Sequence, residues 1–269
     1  MTDLAMFRRL DAASSEAATY EPLVASTGSW DPKLIHGAPL AALLAGRFAQ
    51  APGTLARFSV DFVAPVPMAP LTVEILDEGG GSRVQRRRAT VTAGDRVVAT
   101  GTGLLVREGD LDLPEKARRH PSPFDPTAVP DLAEPHPDAR STVGWDSFVN
   151  LGVAIEPMRV EGDRRPHQWV ALTAPVLADE ESLGVELAVV AADFAQTAVH
   201  AQLPFTNWSF RNADLTVHLT RPLVGDWVGL RSEALVQDVG AGFNAADLFD
   251  SAGRVARSAS VLVVEARTS

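Results

Sequence analysis

Apolar and polar residues alternate in two parts of the chain, one on each side of a proline-rich stretch. The alternation covers residues 58–65, 71–76, 94–101 and 104–107 in the first part. In the second part it covers residues 215–222, 227–231, 253–258 and 261–265. Glycine turns, such as the one from Asp250 to Gly253, separate these segments. Alternation between such turns predicts antiparallel hairpins in both parts.

The two parts have the features of a duplication, because matched positions are separated by a constant number of residues. Pro65 and Pro222 each follow a strand, and Ala99 and Ala256 each lie in a later one; both separations are 157 residues. Self-similarity of this kind indicates a repeated supersecondary unit. We expect an N-terminal unit over residues 1–108, a proline-rich linker over 109–140 and a C-terminal unit over 141–269.

One strongly apolar segment precedes the strands of each unit. The first runs from Gly37 to Ala49, with Pro39 at a position that suits the first turn of a helix. The second runs from Leu183 to Val199. Both are apolar nearly all round, so we expect two buried helices. The predicted fold is an α+β double hotdog, in which two antiparallel sheets each wrap a long central helix.

Composition narrows the classes of function. The formal net charge of -10 argues against a nucleic-acid partner, which would require a concentrated basic face. The basic run from Arg83 to Arg88 fits a solvated strand face, or else contact with an anionic ligand such as a CoA phosphate. The chain has no cysteine, which excludes thiol nucleophiles and cysteine-ligated metals and fits a reducing compartment. With no signal-peptide pattern and no apolar run of membrane-spanning length, we expect a cytoplasmic protein.

Four motifs resemble those of acyl-CoA thioesterases of the type II, double-hotdog class. They are IHGAPLAALLA at residues 35–45, AADF at 191–194, DLTVHLTRP with GDW at 214–227, and DSAGRVAR at 250–257. The resemblance covers about residues 30–107 and 143–267. It implies an acyl-CoA substrate that is hydrolysed to free acid and CoA. We expect no cofactor and no metal, since the histidines do not form a metal-binding spacing.

The same resemblance implies three site residues. Members of this class use a carboxylate, a hydroxyl and a glutamine to bind the attacking water, and these positions fall on Asp193, Asn212 and Ser260. Only the carboxylate keeps its type, although amides and hydroxyls each offer a donor and an acceptor. Asp193 also carries a signal of its own, because it interrupts an apolar run where an ionised carboxylate is costly. The alternative is that Asp193 caps a helix that begins there.

The offset of 157 residues pairs Asp193 with His36, directly before the first helix. We therefore expect the two residues to be related by pseudo-symmetry. The amides of Gly37 or Ala38 are candidates to stabilise a developing oxyanion, because backbone N–H groups at a helix start attract negative charge. His36 suits either a structural role at the helix start or a role as ligand or proton shuttle.

Other residues and functions remain open. Gln196 and Thr197, one turn after Asp193, either line the same pocket or are satisfied locally, and His218 fits a solvated strand position. A non-catalytic acyl-CoA or lipid-binding protein is the alternative to the thioesterase, because two of the three implied site positions have changed type. A hotdog hydratase ranks last, since no His and Asp pair is apparent on one helix. We expect a homo-oligomer, a dimer or higher, because paired sheets leave edges or faces for a further two-fold contact.

Overall fold

The computed structural model describes residues 4–11, 17–118, 122, 124, 144–200 and 202–267. Most of the predicted linker, at residues 119–121, 123 and 125–140, lies outside this part of the chain. The predicted unit boundaries therefore stay predictions. No helix within the described ranges is both long enough and apolar enough to cross a membrane.

The described strands form one 13-stranded antiparallel sheet. The N-terminal strands are β1 (Phe7–Arg9), β2 (Ala17–Pro22), β3 (Thr54–Phe62), β4 (Leu71–Gly80), β5 (Val84–Ala93) and β6 (Arg96–Val106). The C-terminal strands are β7 (Val153–Met158), β8 (His167–Leu172), β9 (Trp208–Asn212), β10 (Asp214–Leu219), β11 (Val228–Val236), β12 (Ala241–Asp250) and β13 (Gly253–Ala266). The order of the strands in the sheet is β1-β2-β4-β5-β6-β3-β10-β13-β12-β11-β8-β7, and β9 pairs with β13 beside this path.

The α+β double-hotdog prediction is confirmed in class, with corrections in detail. The two predicted sheets are joined into one, because β3 pairs with β10. The paired short strands predicted at 94–107 and at 253–265 are single long strands, β6 and β13. The run from Arg83 to Arg88 enters β5 with its arginines exposed or partly buried, and His218 is exposed on β10, as their solvated interpretations predicted.

The duplication predicted from the offset is visible where β3 meets β10. Ser59 on β3 is the direct partner of Thr216 on β10, and their hydroxyls are 3.0 Å apart although the residues are separated by 157 positions. Positions related by the repeat thus face each other across a local two-fold axis. The irregularity in β3 at Ala56 recurs at Ala213, where the chain passes from β9 to β10. The two halves therefore share their strand register.

Five α-helices occur among the described residues: α1 (Gly37–Ala49), α2 (Glu115–Arg118), α3 (Phe148–Leu151), α4 (Gly184–Asp193) and α5 (Thr197–His200). The prediction of one helix from Leu183 to Val199 is wrong in part. Helix α4 ends at Asp193, a 3-10 turn covers Phe194–Gln196, and α5 follows. Helices α1 and α4 are buried, as their apolar sequences predicted, and they pack against each other.

The contact between α1 and α4 depends on a glycine. A Cβ atom at Gly46 would lie 2.0 Å from Oε1 of Glu186, so only a residue without a side chain leaves room for that carboxylate. Glu186 is buried and its Oε2 accepts the amide N–H of Leu183 at 2.7 Å. Beside it, Arg47 pairs with Glu180 at 2.6 Å. A buried acid is thus wedged between the two helices at the end where α1 finishes.

A second apolar cluster covers the opposite face of the C-terminal half of the sheet. Phe124, from the region predicted as linker, packs its ring 4.9 Å from that of Trp169 and 5.4 Å from that of Phe249. The ring also lies over Gly229, where a Cβ would approach it to 2.8 Å. Strand β8 is consequently buried on both faces.

Candidate active site

Asp193 is the last residue of α4, and its carboxylate is buried with 2% of the residue exposed. The helix is apolar all round, so any side chain on it enters the core. The tight turn after it is fixed by two bonds to the Phe194 carbonyl, one from Gln168 Nε2 at 3.1 Å and one from Thr197 Oγ1 at 2.9 Å. The residues before Asp193 are helical, and among the described residues its side chain makes no cap hydrogen bond to the 3-10 turn that follows, so the helix-cap alternative is wrong.

The start of α1 lies beside the end of α4, which brings His36 to Asp193. His36 is the N-cap of α1, where its Nδ1 accepts the backbone N–H of Ala38 at 3.3 Å. The same Nδ1 is 3.7 Å from Oδ2 of Asp193. The His36 ring lies 4.9 Å from the Phe148 ring, which closes this side of the site with an apolar wall.

The two residues meet for a reason different from the predicted one. The first helical residues, Gly37 and Gly184, are 147 positions apart, whereas the strands repeat at 157. The symmetry mate of His36 is therefore Leu183, the N-cap of α4, and the predicted pseudo-symmetry between His36 and Asp193 is wrong. They are neighbours because two antiparallel helices place the start of one against the end of the other.

Burial sets the protonation of this pair. Desolvation raises the pKa of Asp193, and His36 and the hydrogen bond from Asn212 only partly offset it. Desolvation likewise lowers the pKa of His36, against the opposing influence of Asp193. Both shifts favour neutral forms because the charged forms lose their hydration. An aspartate with a raised pKa is a stronger base once ionised, which suits acid–base chemistry.

Asn212 holds the other oxygen of the carboxylate. It is the last residue of β9, and its Nδ2 donates to Oδ1 of Asp193 at 2.5 Å. Its own Oδ1 lies 3.5 Å from Nδ2 of Asn244, a buried residue on β12. Asp193 Oδ2 is buried, and none of the residues that the structure describes forms a hydrogen bond with it. The carboxylate is thus anchored through one oxygen, and the other oxygen faces the start of α1.

Ser260 belongs to the same surface of the sheet. It lies on β13 and is the direct cross-strand partner of Asn244, so both side chains point to the same face. Its hydroxyl is buried and has no hydrogen-bond partner in the described part of the chain, and the same holds for Oδ1 of Asn244. Buried polar atoms are nearly always paired in proteins. Within the described residues, such unpaired atoms occur at Asp193, Asn244 and Ser260, and also at Ser232 and Ser258 on the same face, so this surface of the sheet is polar beside Asp193.

The remaining predicted residues divide into two groups. Gly37 and Ala38 form the first turn of α1, where backbone N–H groups lack intrahelical acceptors, but the Ala38 amide already donates to His36. Gln196 is buried in the turn after α4. The Thr197 hydroxyl bonds locally to Phe194, as its alternative interpretation predicted. No hydrogen bond joins Gln196 or Thr197 to Asp193 within the described residues, and their role in binding stays a prediction.

Sequence reasoning missed two polar residues. Asn244 precedes an apolar run of β12, and an amide there among buried neighbours could have been noticed as costly without a partner. Gln168 lies in β8, whose residues are buried from 167 to 171 and show no alternation that would single it out. The described residues contain no cluster of His, Asp and Glu arranged to hold a metal ion.

An aromatic cluster borders the site beyond Asn212. Phe210 lies two residues earlier on the same face of β9, and its ring is 5.6 Å from Trp30 and 4.9 Å from Phe205. His200 stacks edge-on against these rings, and burial lowers its pKa to about 4. The ring is therefore neutral near pH 7, and it contributes to an apolar margin rather than a charge.

Structures of known proteins share this fold. An acyl-CoA thioesterase II from Mycobacterium marinum is 11% identical, with 99% of this chain and 97% of that chain covered and a TM-score of 0.68. A conserved protein of unknown function with a hot dog fold from Alicyclobacillus acidocaldarius is 14% identical, with coverage of 99% and 98% and a TM-score of 0.68. The dehydratase domain from the CurJ module of curacin polyketide synthase is 15% identical, with 98% of each chain covered and a TM-score of 0.54. Identities this low establish the fold alone.

Family models identify the chain more specifically. A search of curated proteins gave no match. The model of the acyl-CoA thioesterase N-terminal domain matches residues 26–106. The model of the acyl-CoA thioesterase C-terminal domain matches residues 125–264. Together they cover most of the sequence and both halves of the sheet, including Asp193, Asn212 and Ser260. The chain therefore belongs to the acyl-CoA thioesterase family.

Proposed function

We propose that this protein hydrolyses an acyl-CoA thioester to the free acid and CoA, with Asp193 as the general base. The proposal rests on the contacts of the two carboxylate oxygens of Asp193. Oδ1 is held by Asn212, while Oδ2 is buried, has no hydrogen-bond partner among the described residues, and is directed to the start of α1. A base anchored through one oxygen keeps the other in a fixed position for a water molecule.

The reaction has two steps, which are the attack of water on the thioester and the breaking of the C–S bond. Asp193 takes a proton from water as the water oxygen attacks the thioester carbonyl carbon. The resulting oxyanion is stabilised by N–H groups at the start of α1. The C–S bond then breaks, and the departing sulfur receives the proton back from Asp193. No covalent enzyme intermediate is needed, which agrees with a sequence without cysteine.

The hydrogen bonds narrow the choice of oxyanion donor. Of the two amides predicted for this role, that of Ala38 already donates to Nδ1 of His36. We therefore assign the role to Gly37, whose position packs closely against the Phe62 ring, 3.0 Å from where a Cβ would be. His36 then fixes the first turn of α1 and acts as a structural residue rather than as a proton shuttle.

A second candidate function is binding of acyl-CoA or a lipid without hydrolysis. It is favoured by the amide of Asn212, whose donor is used on Asp193 and whose oxygen faces Asn244. In the non-catalytic protein, Asn212 would complete a closed network within the chain and would not contact water. The cytoplasmic location and the homo-oligomer expected from the sequence remain part of the proposal under either function.

The test is a comparison of wild type with Asp193→Asn on acyl-CoAs of different chain lengths, with release of free CoA thiol as the readout. We expect turnover by wild type and a loss of about 10³-fold or more in the variant, since a carboxamide cannot accept the proton. Binding of acyl-CoA, measured by calorimetry, should be retained. Asp226→Asn, at an exposed position, is the matched control for loss of a negative charge. Binding without turnover in wild type would support the second candidate instead.

A further inference from the structure

Asn244 is a buried amide whose neighbours are mostly apolar. It lies on the inner face of β12, is 1% exposed, and pairs across the sheet with Ala234 on one side and Ser260 on the other. Burying an amide without hydrogen bonds is unfavourable, because the amide loses its hydration and gains nothing in return. A position of this kind is expected to hold an amide only where its donor or acceptor is used.

The contacts of Asn212 determine which atom of its side chain faces Asn244. A carboxylate oxygen accepts only, so Asn212 must turn its Nδ2 to Asp193 Oδ1. Its Oδ1 then points toward Asn244, whose Nδ2 donates to it at 3.5 Å. In the opposite orientation of Asn212, its oxygen would face the carboxylate and its NH₂ group would face another NH₂ group. Both contacts would be repulsive.

We propose that Asn244 is a positioning residue of the active site. Its NH₂ group holds the amide of Asn212 in the orientation that donates to Asp193, and Asn212 in turn holds the carboxylate with Oδ2 toward the start of α1. The inference rests on the proposed function. It adds a residue on a strand that contributes neither the base nor the oxyanion donor.

Asn244→Asp tests the orientation of the Asn212 amide while it leaves the size of the side chain at residue 244 almost unchanged. Aspartate has nearly the same shape, but its carboxylate accepts where the amide donates. Asn212 would then turn its NH₂ group toward residue 244 and its oxygen toward Asp193, and the two acids would also repel each other. Each effect disfavours the ionised form of Asp193. Asn244→Leu removes the donor at similar volume without adding charge.

Two readouts follow. We expect kcat to fall about 10-fold in Asn244→Leu with KM little changed, which corresponds to loss of one hydrogen bond in a network to a charged group. In Asn244→Asp we expect a larger fall and an acid limb of the kcat–pH profile displaced upward by about one pH unit or more. Asn207→Leu is the control for loss of an amide, because Asn207 is exposed in the loop before β9 and its side chain bonds to Thr206. Both kcat and the acid limb should be unchanged there.

An activity-independent measurement separates this inference from the proposed function. In protein labelled with ¹³C at aspartate, the carboxyl signal of Asp193, assigned with Asp193→Asn, reports its titration directly. An altered titration of Asp193 in Asn244→Leu, which adds no charge, supports the positioning role even if no acyl-CoA is hydrolysed. If both variants fold, as judged by thermal melting, and both leave this titration and the kcat profile as in wild type, the positioning role is refuted.

Discussion

Glu186 predicts a dependence of stability on pH that is large enough to measure. Its carboxylate is buried between α1 and α4, and burial raises its pKa from 4.5 to about 7 despite the hydrogen bond from Leu183 and the nearby charge of Arg47. The folded protein therefore holds a proton on Glu186 in a pH range where the unfolded chain has lost it. Folding stability contributed by this proton is complete below pH 4.5 and is lost as the pH rises to about 7.

The size of the effect follows from the width of that range. Between the two pKa values the free energy of unfolding falls by about 1.4 kcal/mol for each pH unit. Over the interval from 4.5 to about 7 the loss is about 3 kcal/mol. Glu186→Gln should remove this component, because glutamine stays neutral at every pH while its side-chain oxygen can still accept the Leu183 amide. The variant should therefore be more stable than wild type at pH 8.

Urea unfolding followed by tryptophan fluorescence at pH 4.5, 6 and 8 measures the difference. Other ionisable groups also titrate in this range, so the informative quantity is wild type minus Glu186→Gln at each pH. Glu181→Gln, an exposed neighbour, controls for loss of a negative charge near the end of the helix pair. If the wild type and Glu186→Gln curves run parallel from pH 4.5 to 8, the reasoning about the buried acid is refuted.

Three further substitutions test the packing. Gly46→Ala should lower the free energy of unfolding by about 2 kcal/mol, because the new methyl group overlaps the Glu186 carboxylate. A double-mutant cycle with Glu186→Ala should show that the loss is smaller when this carboxylate is absent, and additive losses would contradict this. Phe124→Ala should lower the free energy of unfolding by about 3 kcal/mol as the outer aromatic cluster loses its cover, and an unchanged urea midpoint would contradict it. Asp250→Ala should cost about 3 kcal/mol, because the buried carboxylate binds both guanidinium nitrogens of Arg221. Burial alone would raise the pKa of Asp250, but Arg221 and two backbone amides lower it below 3.8. In wild type, the contribution of Asp250 to the free energy of unfolding should therefore be lost only as the pH falls below 3.8. Urea unfolding at acid pH would measure this loss.

The strand framework of the protein could be predicted from the sequence because alternation and turn residues are local signals. The spacing between Pro65 and Pro222 gave the same 157-residue offset that relates Ser59 to Thr216 across the sheet. Strands β1, β2, β7, β8, β9 and β12 were not predicted. β1 has three residues, too few for any periodicity, and β8 is buried on both faces beneath Phe124, which removes the alternation.

The site was only partly predictable, and the reason lies in the helices. Asp193 stood out because an acid within an apolar run is costly, and Asn212 does contact it. The helix offset of 147 differs from the strand offset, since the chain between α4 and β10 contains the 3-10 turn, α5 and β9. A single offset therefore gave the right neighbour for Asp193 through a wrong symmetry relation. The pairing of Asn244 with Ser260 depends on the register between β12 and β13, which no local pattern reveals.

Because two similar units are fused in one chain, the two ends of the α1–α4 helix pair can carry different residues. In a dimer of identical subunits, any substitution at one end of the paired helices would appear at the other end as well. Here one end holds Asp193 beside the His36 ring, and the other holds Glu186 against Gly46 with Arg47 nearby. A single mutation changes one end alone, so the surroundings of Asp193 and those of Glu186 can change independently of each other.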